Sequence, residues 1–404
     1  VHIGYCSPHW PPAMAANGIV TYVAAMRDYL LAQGHRVSII ADGQVVDGDG
    51  RIHDLPLASG RAGPVNALAR HWLRHRERHR GDLPAIGRAV AAQVQAAHRI
   101  MPMDILDMEE SFGWSDAVRR LSGVPVVTRL HGPFFLKAPV PRTEQEMQAY
   151  RHRCEAEGWA VRRAVSLTAP TRATLQAACA RYRRPARGMS TAIPNPVGLP
   201  ARQWRLDDCD RQHILMVGRF DYAKGADTML LAFDRLIARR PSVRLTLVGP
   251  DWGMALSPGR ALSFKDYVAT HLSPRGREGV RFIGRQPPDT IARLRRKAFV
   301  TVQASRSETY SYTLVESLAA GCPVISTDWA GAEEMFQAGR QGLLTPMGDP
   351  DALARNLEWL MDHPEEAASM ADNGRRHCRE RFSMEAVGGR MVDWYRATLA
   401  ERRR

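Results

Sequence analysis

Residues 307–326 read SETYSYTLVESLAAGCPVIS and are bracketed by two short apolar runs. Phe299 to Gln303 (FVTVQ) and Pro323 to Thr327 (PVIST) are rich in β-branched residues, and each reads as a buried strand. Between them the pattern predicts a helix from Tyr312 to Ala320, closed by Gly321 as its C-terminal cap. Such a strand, helix, strand unit puts the loop Ser305 to Ser311 at the carboxyl edge of a parallel sheet, where open α/β folds bind ligands. Glu308 sits in that loop and Glu316 inside the helix. The helix N-terminus at Ser311, Tyr312 and Thr313 offers backbone N–H groups and a partial positive charge, which suit a phosphate. Glu316, one turn further in, is placed to accept two hydrogen bonds from a vicinal diol such as a ribose. The pair therefore reads as a recognition device for a sugar nucleotide, one carboxylate for each sugar. For two glutamates taken alone, a solvated helix face and a turn residue are the competing explanation.

The alternation continues on both sides of this stretch. HILMVG (213–218), VRLTLVG (243–249) and VRFIG (280–284) bring the strands of the second half to five, separated by helical segments. In the first half HIGYC (2–6), RVSIIAD (36–42), MDILDME (103–109), VPVVTRL (124–130) and VSLTAP (165–170) read as strands. Helices are predicted over Val20 to Gln33, capped by Gly34, and near Ile86 to Met101 and Glu144 to Ala164. The fold class is α/β, with two Rossmann-like, doubly wound domains facing a central cleft, joined by the Pro- and Gly-rich linker IPNPVGLP (193–200). A length of 404 residues agrees with two domains.

Composition narrows the partners. With 45% apolar and 24% charged residues the chain is globular, and it contains no apolar run of transmembrane length. It opens on a strand without a basic and apolar leader, so a cytoplasmic location is expected. Six cysteines without CxxC spacing point to reduced thiols rather than zinc or a disulfide framework. The net charge is +14, from 56 basic and 42 acidic side chains, and only four of the 56 are lysines. Residues 1–200 hold 25 basic and 16 acidic side chains, the larger share of the surplus. The segments Arg70 to Arg80 and Arg151 to Arg163 interleave basic residues with Trp72 and Trp159, a composition suited to an anionic membrane surface or an anionic acceptor, or to a plain solvated face. No nucleic-acid-binding signature accompanies the charge, so no nucleic acid partner is expected.

VGRFDYAKG (217–225) follows the first strand of the second half, and its Arg219 and Lys224 form a cation pair able to clamp a diphosphate and stabilise it as it leaves. In order, VGRFDYAKG, VRFIGRQPPDTIARLRRKAFVTVQAS and SETYSYTLVESLAAGCPVISTDWAGAEEMF resemble the nucleotide-binding half of retaining glycosyltransferase family 4, of GT-B architecture. The first half is similar more loosely, in ANGIVTYVAAMRDYLLAQGHRVSII and RLHGPF. The resemblance implies an acceptor domain over 1–195, a nucleotide-sugar domain over 196–382, and a segment from about 383 to 404 that packs back on the first. It implies Glu316 on the ribose, Glu308 on the transferred sugar, and Arg219 and Lys224 on the diphosphate. Gly18 is implied to bring backbone close to the phosphates, His131 to lie beside the transferred sugar, and Arg285 and Gln286 to border the base. Two positions depart from the family pattern. Asn17 stands before Gly18 where two glycines are common, and a left-handed Asn would preserve the loop. Ser311 replaces a common glycine, adding a Cβ expected to narrow the donor pocket.

The expected activity is transfer of a sugar from a UDP- or GDP-linked donor to an acceptor hydroxyl with retention of configuration. The acceptor would be a glycan, glycolipid or lipid-linked saccharide, and the enzyme would sit at the inner face of the cell membrane when it meets a lipid. The acceptor is assigned to the basic first domain, with Trp10, Glu109, Glu110 and Trp114 at predicted strand ends as candidates to line its pocket. DGDG (47–50) and DDCD (207–210) read as exposed turns, and since Arg219 and Lys224 supply positive charge, no metal or other cofactor is expected. A nonhydrolysing sugar-nucleotide epimerase on the same architecture and a noncatalytic sugar-nucleotide-binding module are the alternatives.

Overall fold

The computed structural model describes residues 1–12, 17–55, 83–137, 141, 143–186, 188–257 and 260–402; the basic segment Arg70 to Arg80 lies outside them. The chain forms two compact units, Val1–Pro196 with Met384–Arg404, and Val197–Ser383.

The first unit is built on an eight-stranded sheet. Its strands are β1 (His2–Cys6), β2 (Arg36–Ala41), β3 (Gln44–Val46), β4 (Ile52–Asp54), β5 (Ile105–Glu109), β6 (Val126–Arg129), β7 (Ser166–Ala169) and β8 (Met189–Ala192), in the order β4-β3-β2-β1-β5-β6-β7-β8. β1, β2 and β5 to β8 run parallel, whereas β3 and β4 are antiparallel additions at one edge. The parallel strands read as continuous apolar runs because helices cover both faces of such a sheet. β3, β4 and β8 are short and partly exposed, and their sequences carry too little apolar signal to be read as strands.

The helix expected from Val20 begins two residues earlier, spanning Gly18–Ala32. Asn17 explains the shift: its side-chain oxygen accepts the Ile19 N–H at 2.8 Å from an extended backbone (φ −137°). Asn17 is thus an N-cap rather than the left-handed residue anticipated, and Gly18 is the first helical residue rather than a loop glycine. Val20, Tyr22, Val23, Met26 and Leu30 form its buried face.

Residues Met384–Glu401 form a helix whose Val387, Met391 and Tyr395 are buried in the same apolar cluster as Ile3, Tyr22 and Val37. Beneath it lies a buried polar network. Asp107, 2% exposed, accepts hydrogen bonds from Tyr395 Oη at 2.6 Å and Tyr22 Oη at 3.0 Å. Burial pushes the Asp107 carboxyl up, and the Arg129 guanidinium and the two hydroxyls oppose that shift. Arg129 is itself fully buried, donating to Thr168, to the carbonyls of Ile193 and Pro194, and to Asn195 Oδ1.

The second unit carries a six-stranded parallel sheet. Along the chain come β9 (Asp210–Val217), β10 (Arg244–Val248), the hairpin β11 (Met254–Ser257) and β12 (Arg260–Leu262), β13 (Val280–Phe282), β14 (Ala298–Gln303), β15 (Val324–Thr327) and β16 (Leu343–Thr345). The sheet order is β13-β10-β9-β14-β15-β16, so the chain reverses its direction of travel between β9 and β14. The carboxyl ends of those two neighbouring strands are the topological switch point, where such sheets bind ligands. The sequence reading contains neither β16 nor the hairpin; both consist of short strands. The two ends of this unit are tied together by Val197 N–H donating to the Phe382 carbonyl at 2.8 Å.

Candidate functional site

VGRFDYAKG leaves β9 at the switch point, and Asp221 organises it. One Asp221 oxygen accepts the Lys224 backbone N–H at 2.8 Å, and the other accepts Arg219 Nε at 2.6 Å. Phe220, 1% exposed, anchors the turn against Phe264, Tyr267 and Phe282. Gly225 has φ +65°, and a Cβ there would lie 1.8 Å from the Ala304 carbonyl oxygen. Only glycine lets the loop after β9 approach the loop after β14 this closely.

That approach brings together residues 84 apart. Lys224 Nζ donates to Glu308 Oε1 at 2.5 Å, and the same oxygen accepts Ser305 Oγ at 2.9 Å and Gln303 Nε2 at 3.3 Å. Gln303 is held in turn, its Oε1 accepting Ser326 Oγ at 2.6 Å and Trp329 Nε1 at 3.1 Å. Gly218, Lys224, Gln303, Ser305, Glu308 and Thr313 line a small recess of about 30 Å³.

The helix after this loop spans Tyr312–Ala320 with Gly321 at its end (φ +69°). Ser311 is 3% exposed and its Oγ accepts the Leu314 N–H, so its side chain caps the helix. Thr313 Oγ1 donates to the Val217 carbonyl, and Tyr312 packs beside Tyr310. Glu316 is partnered: Oε2 accepts Arg295 Nη2 at 2.6 Å, from an arginine side chain 6% exposed. Arg219 lies over the Trp252 ring, 4.1 Å from its centroid, and Trp252 is 60% exposed. Arg285 and Gln286 follow β13, two strands from β9, outside the recess; Arg285 is exposed and Gln286 Nε2 donates to the Ile283 carbonyl at 2.6 Å. The sequence reading missed Asp221, Trp252, Arg295 and Gln303. Asp221 lay within the quoted loop as an acidic residue between two cations, a signal that was available.

In the first unit His131 follows β6, and its loop is held by buried glutamates. Glu110 accepts the N–H groups of His131 at 2.9 Å and Gly132 at 2.8 Å, one on each oxygen. Pro133 has no N–H, and Glu157 Oε2 accepts the next one, from Phe134, at 2.8 Å. Glu110 is fully buried and turned to the backbone, which corrects its expected place in the lining of an acceptor pocket. Trp114 is corrected too: it opens the helix Trp114–Leu121 rather than ending a strand, and its ring stacks on Phe112 at 4.6 Å. Glu109 is the last residue of β5, its carboxyl pushed up to about 7 by burial and by Glu110. Trp10 is half-buried against the Ile3 and Tyr5 cluster. The His131 ring meets the Tyr22 ring at 5.1 Å, and burial with Arg129 and Lys137 nearby holds its pKa well below the usual histidine range. The helix Glu144–Arg163 exposes Trp159, with Arg162 and Arg163 over its ring.

DGDG forms a turn in which Asp47 accepts the Arg51 N–H at 2.8 Å. Among the described residues no three His, Cys, Asp or Glu side chains are grouped to hold a metal ion, and no helix is long and apolar enough to cross a membrane.

Two doubly wound α/β units, the second with Lys224 paired to Glu308 where its strand order reverses, define an open α/β fold of the kind that binds ligands at such a point. The family model described as "Glycosyl transferases group 1" matches residues 203–377, and that described as "Glycosyltransferase Family 4" matches residues 16–199. The chain belongs to glycosyltransferase family 4 and has the GT-B fold. It is 28% identical over 192 residues to D-inositol 3-phosphate glycosyltransferase of Segniliparus rotundus, a match covering 48% of this chain and 41% of that protein. The chain thus spans less than half the length of this curated relative. Among solved structures it is similar to sucrose-phosphate synthase from Thermosynechococcus elongatus, with TM-score 0.75 and 22% identity over 99% of each chain. Anabaena Alr3699/HepE in complex with UDP gives TM-score 0.66 and 17% identity, covering 98% of this chain and all of that one.

Proposed function

We propose that this protein transfers a sugar from a nucleoside diphosphate donor to an acceptor hydroxyl, with retention of anomeric configuration. The observation that carries the proposal is the Lys224–Glu308 pair at the switch point, with Arg219 on the same loop as Lys224 and Glu316 on the helix that follows Glu308. Arg219 and Lys224 hold the diphosphate and take up the negative charge that develops as it leaves. Glu308 receives hydroxyls of the transferred sugar and Glu316 those of the ribose. Retained Arg295 and Asp221 contacts keep Glu316 and Arg219 oriented before the donor arrives, which limits the entropy lost on binding. The acceptor is assigned to the first unit, where burial keeps His131 neutral near pH 7. Family membership supports the reading, and the UDP bound by Alr3699/HepE supports a uridine nucleotide as the first donor class to try.

The test is thermal melting with UDP, GDP, ADP and TDP, free and carrying a sugar, on the wild-type protein and Glu316→Gln. A ligand at a hundredfold excess over its Kd stabilises a single native site by about 2.7 kcal/mol. One nucleotide class is expected to raise the melting temperature in the wild type and to lose most of that effect in the variant. No shift with any of the eight ligands would refute the donor-site assignment.

A further inference from the structure

Glu308 uses its two oxygens unequally. Oε1 receives all three protein donors, Lys224 Nζ, Ser305 Oγ and Gln303 Nε2. Oε2 has no protein hydrogen-bond partner among the described residues, and the glutamate lines the recess. One oxygen anchors the carboxylate while the other is presented as an acceptor.

The orientation of the anchoring amide is forced by chemistry. An indole N–H can only donate, so the Gln303 atom facing Trp329 Nε1 must be its carbonyl oxygen. Ser326 Oγ donates to the same oxygen. The Gln303 NH2 is then obliged to face Glu308. Gln303, Ser326 and Trp329 are all buried, on the carboxyl ends of β14 and β15 and the turn that follows, so the chain of hydrogen bonds runs through the rigid part of the sheet. A glutamate at position 303 would place a like charge against Glu308, and an apolar residue would remove the donor.

We infer that Gln303 is a positioning residue for sugar recognition, whose amide, oriented by Trp329 and Ser326, turns Glu308 so that one carboxylate oxygen faces a donor-sugar hydroxyl. This rests on the reading of Glu308 as the sugar-facing carboxylate. It makes recognition dependent on a hydroxyl at that point of the sugar, because a fixed acceptor left without a donor is penalised.

The experiment has a ligand-free arm and a binding arm, using Gln303→Met and, as the gentler variant, Ser326→Ala. Crystal structures without ligand are expected to show Glu308 in one rotamer in the wild type and in more than one, or a different one, in Gln303→Met. An unchanged Glu308 in both variants would overturn the positioning role, whatever the protein binds. In calorimetric titrations Gln303→Met is expected to weaken UDP-glucose about tenfold or more while changing UDP by less than about twofold. In a Glu308→Ala background the same substitution is expected to add less than about twofold. Equal losses for UDP and UDP-glucose, or a full additional loss without Glu308, would mark Gln303 as structural and overturn the inference. Displaced Glu308 in a protein whose wild type binds neither ligand would uphold the positioning of Glu308 and overturn the donor reading itself.

Discussion

Lys224 and Glu308 neutralise one another across 2.5 Å in a half-buried recess, so each is both a ligand group and the other's counter-ion. Replacing Lys224 with Ala leaves Glu308 its Ser305 and Gln303 donors, so the fold should survive while the charge facing the leaving diphosphate is lost. Turnover is expected to fall about 10²- to 10³-fold with a melting temperature close to that of the wild type, as read from initial rates and a thermal scan. Undiminished turnover would remove Lys224 from the chemistry. A second expectation concerns pH. Burial and the neighbouring Glu110 raise Glu157 to about 7, above the roughly 4.3 of an unfolded-chain glutamate, against the opposing pull of the Phe134 N–H, Arg153 and Tyr182. A raised folded value means the folded unit binds more protons than the unfolded chain between those limits. The stabilisation is therefore complete below about pH 4 and is lost as the pH rises through about 7. Chemical denaturation should show stability falling by about 1 to 3 kcal/mol between pH 5 and 8, with the slope flattened in Glu157→Gln; an equally steep slope in that variant would exonerate Glu157. At this scale the sequence displayed Arg219, Lys224, Glu308 and Glu316, because each stands at a fixed offset from a strand end. Their partners were hidden. Nothing in ARLRRKAFV says that Arg295 rather than Arg293 or Arg296 turns inward, and Gln303 looks like the end of a strand.

Among the elements, the helix Tyr312–Ala320 has the bounds its pattern predicts, since a serine cap and a glycine stop are both local signals. The helix Gly18–Ala32 starts earlier than its apolar periodicity, because Asn17 sets the first turn through a hydrogen bond that periodicity does not encode. Short edge strands such as β4 and β16 owe their conformation to a neighbour rather than to their own residues. The helix Met384–Glu401 illustrates the same limit at long range: its apolar face is legible in its own residues, whereas its packing back on the first unit came from the family resemblance. Tyr395→Phe tests that docking. It removes a donor from buried Asp107 without opening a large cavity, so a loss of about 1 to 3 kcal/mol in urea unfolding is expected. A loss under about 0.5 kcal/mol would show that the hydroxyl does not hold Asp107 in place.

For the whole molecule, the alternation of strands and helices was enough to define the α/β class and two doubly wound domains, because such sheets write their order into the chain as repeating apolar runs; the GT-B architecture came from the family resemblance. The acceptor lining was less legible: Glu110 is fully buried and pins the His131 loop, and Trp114 stands at a helix start rather than a strand end. A cationic surplus such as that of residues 1–200 acts on association with charged partners rather than on how a chain folds. The docking of residues 384–401 has a further consequence in time. These residues complete the interior of the first unit, yet they emerge from the ribosome only after all of residues 197–383. At 5–20 residues per second that interval is roughly 10 to 40 s. Throughout it Asp107 is without the hydroxyl of Tyr395, and by its end the later unit has every strand of its own sheet. Vectorial synthesis thus completes the two units in the reverse of the order in which it begins them.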